Sequence, residues 1–304
     1  YPNPSHLEMI NPVILGATKA KQVTNNKSFG VLIHGDAAFP GEGINSESFN
    51  LSKLSGYDCN GSIHIVTNNQ IGFTTNPENS FPNLFATDFV RGFDIPIIHI
   101  NGDDIYSCLK ATEVAINYKN KFNKDIVLDL ISYRRFGHQE MDDPTITQPL
   151  LYEKIATHPS ITKIFSEELI REKVIDEDEI IKMKSLHTQK LMDSNKPIET
   201  QETSIWPGEF TLDEIDYEKG SQSISINELE KINTKLFKVD SKFGLNKRLS
   251  SIFSKRLKFD KNLKLEWGHA EMLSLASLVE NNISIRFSGQ DSQRGTFSQR
   301  NAII

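Results

Sequence analysis

Four short apolar runs, rich in Ile and Val, stand out in the first half of the chain. They lie at residues 29–34, 62–68, 95–100 and 125–133, and their apolar positions are nearly continuous rather than alternating. A strand with one solvated face alternates apolar and polar residues, whereas a strand that is buried on both faces of a parallel sheet does not. The runs therefore predict a parallel sheet that is covered by helices.

The segments between these runs have the patterns of helices. Between the third and fourth runs, apolar side chains recur at helical spacing, Asp103 and Asp104 stand at the start, and lysines stand near the end. Acidic residues at the amino end and basic residues at the carboxyl end both favour a helix. A second probable helix, around residues 46–55, separates the first two runs. Residues 29–133 therefore predict a doubly wound α/β sheet, which binds ligands at the carboxyl ends of its strands.

The rest of the chain divides by composition. Residues 161–192 predict two charged helices, whereas residues 195–262 are more polar and less periodic, with two short amphipathic helices. An apolar helix around EWGHAEMLSLASLVENN and a strand at ISIRFSG then predict the opening of a second α/β domain. We accordingly expect a main domain over residues 1–194, a helical connector over 195–262 and the beginning of another domain over 263–304.

Charge and composition exclude several classes of protein. The net charge is −6 and no basic run is present, which argues against a nucleic-acid surface and against an anionic membrane as partner. No window approaches the roughly 18 apolar residues of a membrane span. The two cysteines, Cys59 and Cys108, lack a metal-type spacing and are expected to be reduced core residues. The first residues are neither a signal peptide nor a transit sequence, and the missing initiator Met predicts a start inside a longer protein.

Oxygen-bearing side chains follow the first two predicted strands. Asp36 comes directly after the first, and Asn68 and Asn69 end the second. With a backbone carbonyl such as that of Ile71, they form a plausible Mg²⁺ site, which would take further oxygens from phosphate and water. The stretch DAAFPGEG, which begins at Asp36, offers backbone N–H groups to such a phosphate. From the residues alone, an N-cap aspartate and turn asparagines remain the simpler interpretation.

A nicotinamide-binding fingerprint is a weaker alternative for the same region. It would use GEGINS, which lacks the third glycine and lies several residues past the strand.

Longer motifs favour one of these interpretations, a Mg²⁺ site that binds a phosphate-bearing cofactor. GDAA followed by NNQIGFTT resembles the Mg²⁺ and thiamine diphosphate motif of thiamine-dependent enzymes. Together with these, NPSHLEMINPV, HGDAAFPGEG, YRRFGHQEMDDPTITQP and SGQDSQRGTFSQR resemble the thiamine-dependent first component of the 2-oxoglutarate dehydrogenase complex. The motifs span almost the whole chain, and they are much more specific jointly than singly. The resemblance implies the thiamine diphosphate-binding fold.

The resemblance also implies roles for individual residues. The Mg²⁺ ligands would be Asp36, Asn69 and the Ile71 carbonyl, with Ala37 beside the diphosphate. The remaining implied positions are Ser5, His6 and Leu7 near the cofactor, His138 in an active-site loop, Glu271 on the aminopyrimidine ring across a dimer interface, and Gln290, Asp291 and Arg294 in the second domain. Among them His6, His138 and Glu271 would be catalytic and Gln290 cofactor-binding. Without the resemblance, His138 would be an ordinary loop histidine, and Glu271 a carboxylate that is favourable to a helix dipole.

The neighbouring guanidinium groups allow two interpretations. Arg134 and Arg135 could recognise a substrate carboxylate through paired hydrogen bonds, or they could pair with charges of the fold. Two positions depart from the family pattern: Gln139 stands where an Asn is usual, and Asn301 where a His is usual.

The implied reaction is the oxidative decarboxylation of 2-oxoglutarate with thiamine diphosphate and Mg²⁺. The succinyl group would pass to the lipoyl group of dihydrolipoyl succinyltransferase, and the enzyme would be a homodimer. A 2-oxoadipate dehydrogenase, a non-oxidative 2-oxoglutarate decarboxylase and a non-catalytic binding module remain alternatives. We expect a bacterial cytoplasmic protein rather than one of the mitochondrial matrix, and we expect the 304-residue chain alone to be catalytically silent.

Overall fold

A computed structural model describes residues 7–25, 27–194, 224–258 and 264–303. The chain divides into two compact units, Tyr1–Pro197 and Ile198–Ile304. The boundaries of the three predicted parts stay predictions, and much of the predicted connector lies outside the described residues.

The first unit contains a four-stranded, all-parallel sheet. Its strands are β1 (Val31–Gly35), β2 (Ile63–Asn68), β3 (Ile97–Asn101) and β4 (Ile126–Ile131), in the order β1-β2-β4-β3. The register pairs Gly35 with Thr67, and Asn68 with Ile131. The predicted parallel α/β sheet is confirmed, and all four strands end at the same edge.

Helices connect and cover these strands. They are α1 (Ile10–Gln22), α2 (Ala38–Gly41), α3 (Gly43–Leu51), α4 (Pro77–Ser80), a 3₁₀ helix (Asp88–Phe93), α5 (Ile105–Phe122), α6 (Pro149–Thr157), α7 (Ile161–Arg171) and α8 (Glu177–Ser194). Both ends of α5 are capped by its own sequence. At the start, the Asp104 carboxylate accepts the Ser107 N–H at 2.9 Å, and at the end Asn123 adopts the left-handed conformation. Every helix among the described residues is too short or too polar to span a bilayer.

Both faces of the sheet are covered at β2 and β4, which explains their continuous apolar runs. The prediction of burial on both faces was wrong for the edge strand β1, where Leu32 is buried but Val31 and Ile33 are exposed. Neighbouring residues of one strand point to opposite faces, so Ile126 and Val127 of β4 belong to different clusters. One cluster comprises Phe39, Phe49, Val66, Val90, Ile95 and Val127. The other comprises Ile63, Ile100, Ala111, Ala115, Ile126 and Leu128.

The described part of the second unit is helical. It contains α9 (Ile226–Phe237), α10 (Lys247–Leu257) and α11 (Trp267–Glu280), and α9 opens with a capping box between Ser225 and Glu228. The prediction of a strand at ISIRFSG was wrong, because residues 283–289 form no strand. A strand needs a neighbour for its backbone hydrogen bonds, and no other strand occurs in the described residues of this unit.

Candidate functional site

Two loops meet at the carboxyl ends of β1 and β2. Asp36 follows β1 directly and is buried, while Asn69 and Ile71 belong to the turn after β2. A Cβ atom placed on Gly72 would lie 3.5 Å from the Cβ of Ala37, so the two loops are in contact. The backbone N–H of Asn69 also acts on the Asp36 carboxyl and lowers its pKa. The structure thus brings the predicted Mg²⁺ ligands together.

Two side-chain caps define the turn after β2. The Asn68 Oδ1 accepts the Gln70 N–H at 3.0 Å, and the Asn69 Oδ1 accepts the Ile71 N–H at 3.1 Å. Gln70 itself has a positive φ of 64°, a conformation that asparagine-capped turns accommodate. The turn closes through two backbone hydrogen bonds between Gly72 and Thr75, of 3.1 and 2.8 Å. Its backbone is therefore fixed by the chain itself.

The electrostatic setting of Asp36 favours a bound cation. Burial raises the pKa of its carboxyl; backbone N–H groups, chiefly its own and that of Asn69, oppose this rise, and the negative charge of Asp129 adds to it. No Lys, Arg or His pairs with Asp36 within the described residues. A cation would offset the buried negative charge of Asp36.

The donor set is that of a hard cation. No group of three or more His, Cys, Asp and Glu side chains forms a metal site in the part of the chain that the structure describes. A cation at Asp36 would therefore take an amide oxygen from Asn69 and the Ile71 carbonyl as well. Oxygen donors of this kind suit Mg²⁺, with phosphate and water completing the shell. The residues present fit Mg²⁺ that carries a diphosphate.

A buried polar chain lies beneath these loops, and the sequence reasoning missed it. The His34 Nδ1 lies 2.9 Å from the Glu8 Oε2, and the His34 Nε2 lies 2.9 Å from the His64 Nδ1. Burial, reinforced by His34, holds the pKa of His64 well below its usual range. The available signal was a histidine inside each of two apolar strand runs.

This buried chain also orders the described start of the molecule. Glu8 follows directly on the predicted cofactor-contacting residues, of which Leu7 is exposed. Ser5 and His6 lie outside the described residues. The hydrogen bond between Glu8 and His34 therefore ties the segment that follows Leu7 to β1. His34 lies two residues before Asp36.

Asp129 is a second buried carboxylate that sequence reasoning missed. It is fully buried in β4 and accepts hydrogen bonds from Asn68 Nδ2 at 3.1 Å and Thr87 Oγ1 at 3.1 Å. The His99 Nδ1 lies 2.9 Å from its Oδ2. An aspartate in the middle of an otherwise apolar strand was the only signal in the sequence.

The predicted active-site histidine lies against the turn that carries the candidate metal ligands. The His138 ring meets the Phe73 ring edge-on at 4.2 Å, and Phe73 belongs to the turn after β2. The Asp142 Oδ2 lies 2.8 Å from the His138 Nδ1 and accepts the His138 backbone N–H at 3.0 Å. Gly137 is required here, because a Cβ would lie 2.2 Å from the Asp142 carbonyl oxygen. His138 is therefore held beside the candidate cofactor site.

The two arginines before this loop bond to neutral groups of the fold. Arg134 donates to the Phe73 carbonyl at 3.2 Å and to the Tyr152 hydroxyl at 3.4 Å. Arg135 donates to the Tyr133 hydroxyl at 2.7 Å and to the His158 carbonyl at 3.2 Å. These contacts favour a role within the fold over recognition of a substrate carboxylate.

The second unit places its predicted site residues differently. Glu271, near the start of α11, receives two hydrogen bonds from Arg300, from Nε to Oε2 at 3.0 Å and from Nη2 to Oε1 at 2.8 Å. Arg300 is buried, and the Glu271 side chain is one-third exposed. Gln290, Asp291 and Arg294 are exposed. In this arrangement the Glu271 carboxylate is already paired.

Comparisons with known proteins agree with these observations. A model of the family "Dehydrogenase E1 component" matches residues 1–204. A protein of Bacillus velezensis is 42% identical over 99% of this chain, one of Bacillus subtilis is 41% identical over 99%, and one of Staphylococcus aureus strain N315 is 39% identical over 99%. Each is named 2-oxoglutarate dehydrogenase E1 component. The chain spans about a third of their length, from 33% to 35%.

Proposed function

Because the chain belongs to the dehydrogenase E1 component family, we propose that the complete protein carrying it is a thiamine diphosphate- and Mg²⁺-dependent enzyme. It decarboxylates 2-oxoglutarate oxidatively and transfers the succinyl group to the lipoyl group of dihydrolipoyl succinyltransferase. The buried Asp36 carboxylate, beside an asparagine-capped turn and without a cationic partner among the described residues, is the observation that carries this proposal. The names of the relatives support the choice of substrate.

Each residue of the metal site has a defined task in this proposal. Asp36, Asn69 and the Ile71 carbonyl hold Mg²⁺, and Ala37 lies beside the diphosphate. The hydrogen bond from Ile71 N–H to the Asn69 Oδ1 orients the amide oxygen without using both of its lone pairs. When it is bound, thiamine diphosphate supplies the electron sink that lets a 2-oxo acid release CO₂.

The acid–base groups are assigned with the same reasoning. His138 is anchored through Asp142 and the Phe73 ring, so its imidazole is oriented to give or take a proton near the cofactor. His6 and Glu271 complete the proposed catalytic set, with Ser5, Leu7 and Gln290 in contact with the cofactor. For Glu271 to reach the cofactor, it must share or release the Arg300 guanidinium.

The proposed assembly follows from the same family. The enzyme would be a homodimer, with Glu271 acting on the cofactor of the partner subunit, and it would act with a lipoylated transferase. The relatives reported above are bacterial, which favours a bacterial cytoplasm over a mitochondrial matrix.

Reduction of an artificial dye by the complete protein tests the proposal. Thiamine diphosphate and Mg²⁺ are supplied, 2-oxoglutarate is compared with 2-oxoadipate, and Asp36→Ala serves as the inactive control. We expect 2-oxoglutarate to drive reduction in the native protein and not in Asp36→Ala. Preference for 2-oxoadipate would make 2-oxoadipate the substrate. CO₂ release without dye reduction would indicate a non-oxidative decarboxylase. Absence of cofactor binding in a folded protein would leave a non-catalytic binding module.

A further inference from the structure

Asn68 joins the buried Asp129 to the turn that carries the candidate metal ligands. Its Nδ2 donates to the Asp129 Oδ1 at 3.1 Å, while its Oδ1 accepts the N–H of Gln70 at 3.0 Å. Gln70 lies between the two ligands of the turn, Asn69 and Ile71. The Asn68 side chain therefore links Asp129 of β4 to the backbone of Gln70, between the two proposed ligands.

Backbone contacts reinforce this link. The Ser132 N–H donates to the Asn68 carbonyl at 2.7 Å, and the Gln70 side chain donates to the Ser132 carbonyl at 2.8 Å. Asp129 is in turn fixed by Thr87 and His99, which come from other elements of the unit. With the bond from Asn68, each oxygen of the Asp129 carboxylate has a partner, and the group has no freedom to reorient without breaking a hydrogen bond.

We propose that Asp129 and Asn68 are positioning residues of the metal site: they fix the turn that presents Asn69 and the Ile71 carbonyl, and Asp129 adds negative charge beneath the cation. Neither residue is among the proposed ligands, and both Asn68 polar atoms and both Asp129 oxygens are bonded within the fold. Partners of this kind orient metal ligands, and their loss typically lowers metal affinity by about 10 to 100-fold.

The charge of Asp129 supports the second part of the proposal. Asp129 is fully buried, and its carboxylate lies one hydrogen bond, of 3.1 Å, from Asn68, the residue next to the proposed ligand Asn69. A buried carboxylate attracts a cation held nearby more strongly than an exposed one does, because water does not screen its charge. Asp129 thus favours Mg²⁺ without touching it.

The inference rests on the proposed function, and calorimetric Mg²⁺ titration of the complete protein at saturating thiamine diphosphate tests it. Asp129→Asn keeps the shape, because the amide oxygen can face Asn68 while the amide nitrogen faces Thr87 and His99. Asp125→Asn is the matched control. Asp125 is also a buried carboxylate, it adjoins the same strand at the amino end, and it accepts the Ser62 N–H at 2.7 Å.

We expect Asp129→Asn to weaken Mg²⁺ binding roughly tenfold and Asn68→Ala by roughly 10 to 100-fold, with Asp125→Asn within about twofold of the native protein. Equal changes in Asp129→Asn and Asp125→Asn would overturn the role of the charge. Native-like Mg²⁺ affinity in a folded Asn68→Ala protein would overturn the positioning of the turn. If Asp129→Asn does not fold, Asn68→Ala alone decides. Failure of the native protein to bind Mg²⁺ with thiamine diphosphate would instead reject the proposed function.

Discussion

Asp36 and Glu271 are two carboxylates that the sequence assigns to one cofactor, and the structure surrounds them in opposite ways. Asp36 is buried at the carboxyl end of β1, is faced by backbone N–H groups that lower the pKa of its carboxyl, and lies near a second negative charge. Glu271 is one-third exposed on α11 and receives both hydrogen bonds of a guanidinium fork. The first carboxylate lacks a counter-charge among the described residues, and the second has one.

This difference separates a site that is prebuilt from one that must rearrange. A buried anion without a partner is costly, and a cation relieves that cost on binding. A paired carboxylate gains less from a new partner, since the existing bond must be given up. The diphosphate end of the proposed site is therefore organised within its own unit, whereas Glu271 would have to leave or share Arg300 before it could contact a cofactor.

The largest expected effect is on Asp36 itself. Asp36→Ala removes the only side-chain anion among the proposed ligands, so we expect Mg²⁺-dependent binding of thiamine diphosphate to weaken by about 100-fold or more. Calorimetric titration of the complete protein with thiamine diphosphate and Mg²⁺ measures this affinity. Asp125→Ala, which deletes another buried carboxylate of the same sheet, is expected to retain cofactor binding. Native-like affinity in Asp36→Ala would show that Asp36 is not a metal ligand.

The next effect tests whether the Glu271 pair matters to its unit. Arg300→Gln removes charged hydrogen bonds from a buried arginine, so we expect α11 to lose about 1.5 to 3 kcal/mol of local stability. Lys235→Gln breaks the exposed pair between Lys235 and Glu280 in the same unit and is expected to cost at most about 1 kcal/mol. Hydrogen exchange of the α11 amides in the complete protein measures both.

Equal protection in the two variants would mean that the Glu271–Arg300 bond contributes no more than a surface pair. Glu271 would then be as free to meet a ligand as Asp36, and the contrast between the two carboxylates would disappear.

The sequence was sufficient to predict the parallel sheet and to predict that its strands end at the same edge. The continuous apolar runs predicted burial on both faces, which β2 and β4 show, whereas β1 exposes Val31 and Ile33 on one face. Parallel strands necessarily bring Asp36 and Asn69 to one edge. Those predictions depend only on local pattern and topology. The strand predicted at ISIRFSG failed because apolar periodicity cannot report whether a neighbouring strand is present.

The polar residues beneath the site could not be predicted in the same way. His34, His64 and Asp129 lie inside apolar runs, where a single polar residue carries no periodic signal. Their meaning depends on contacts with Glu8, Asn68, Thr87 and His99, which lie in other segments of the chain. The Glu271–Arg300 pair is hidden for the same reason, since nothing local links residues 29 positions apart.

A smaller effect is expected at the His138 loop, where the carboxylate of Asp142 is paired and the His138 ring contacts the turn that carries the proposed metal ligands. Asp142→Asn weakens its contacts with the His138 ring and backbone, so we expect about a tenfold lower kcat with unchanged Mg²⁺ affinity. Asp143→Asn is the control, because the Asp143 side chain bonds only to the neighbouring Thr145 among the described residues. A fall in Mg²⁺ affinity in Asp142→Asn would show instead that the loop supports the metal turn.

The smallest expected effect is a pH dependence of Mg²⁺ binding that the unpaired carboxylate produces and the paired one does not. The pKa of the Asp36 carboxyl is raised by burial, so a proton competes with Mg²⁺ over a range above the usual value of 3.8. Above the raised pKa the carboxylate is ionised and affinity is constant. As the pH falls through it, binding must displace a proton, and affinity drops by at most about tenfold per pH unit.

Mg²⁺ titrations at stepwise lower pH, at saturating thiamine diphosphate, measure this slope together with the number of protons released on binding. Glu271→Gln should leave both unchanged, because the Glu271 carboxylate is not a proposed metal ligand. Asp36→Asn should abolish the proton release attributed to this site, and whatever slope survives in that variant reports the phosphate of the cofactor. A slope that disappears in Glu271→Gln and persists in Asp36→Asn would reverse the comparison, since it would make the guanidinium-paired carboxylate the one that meets the cation.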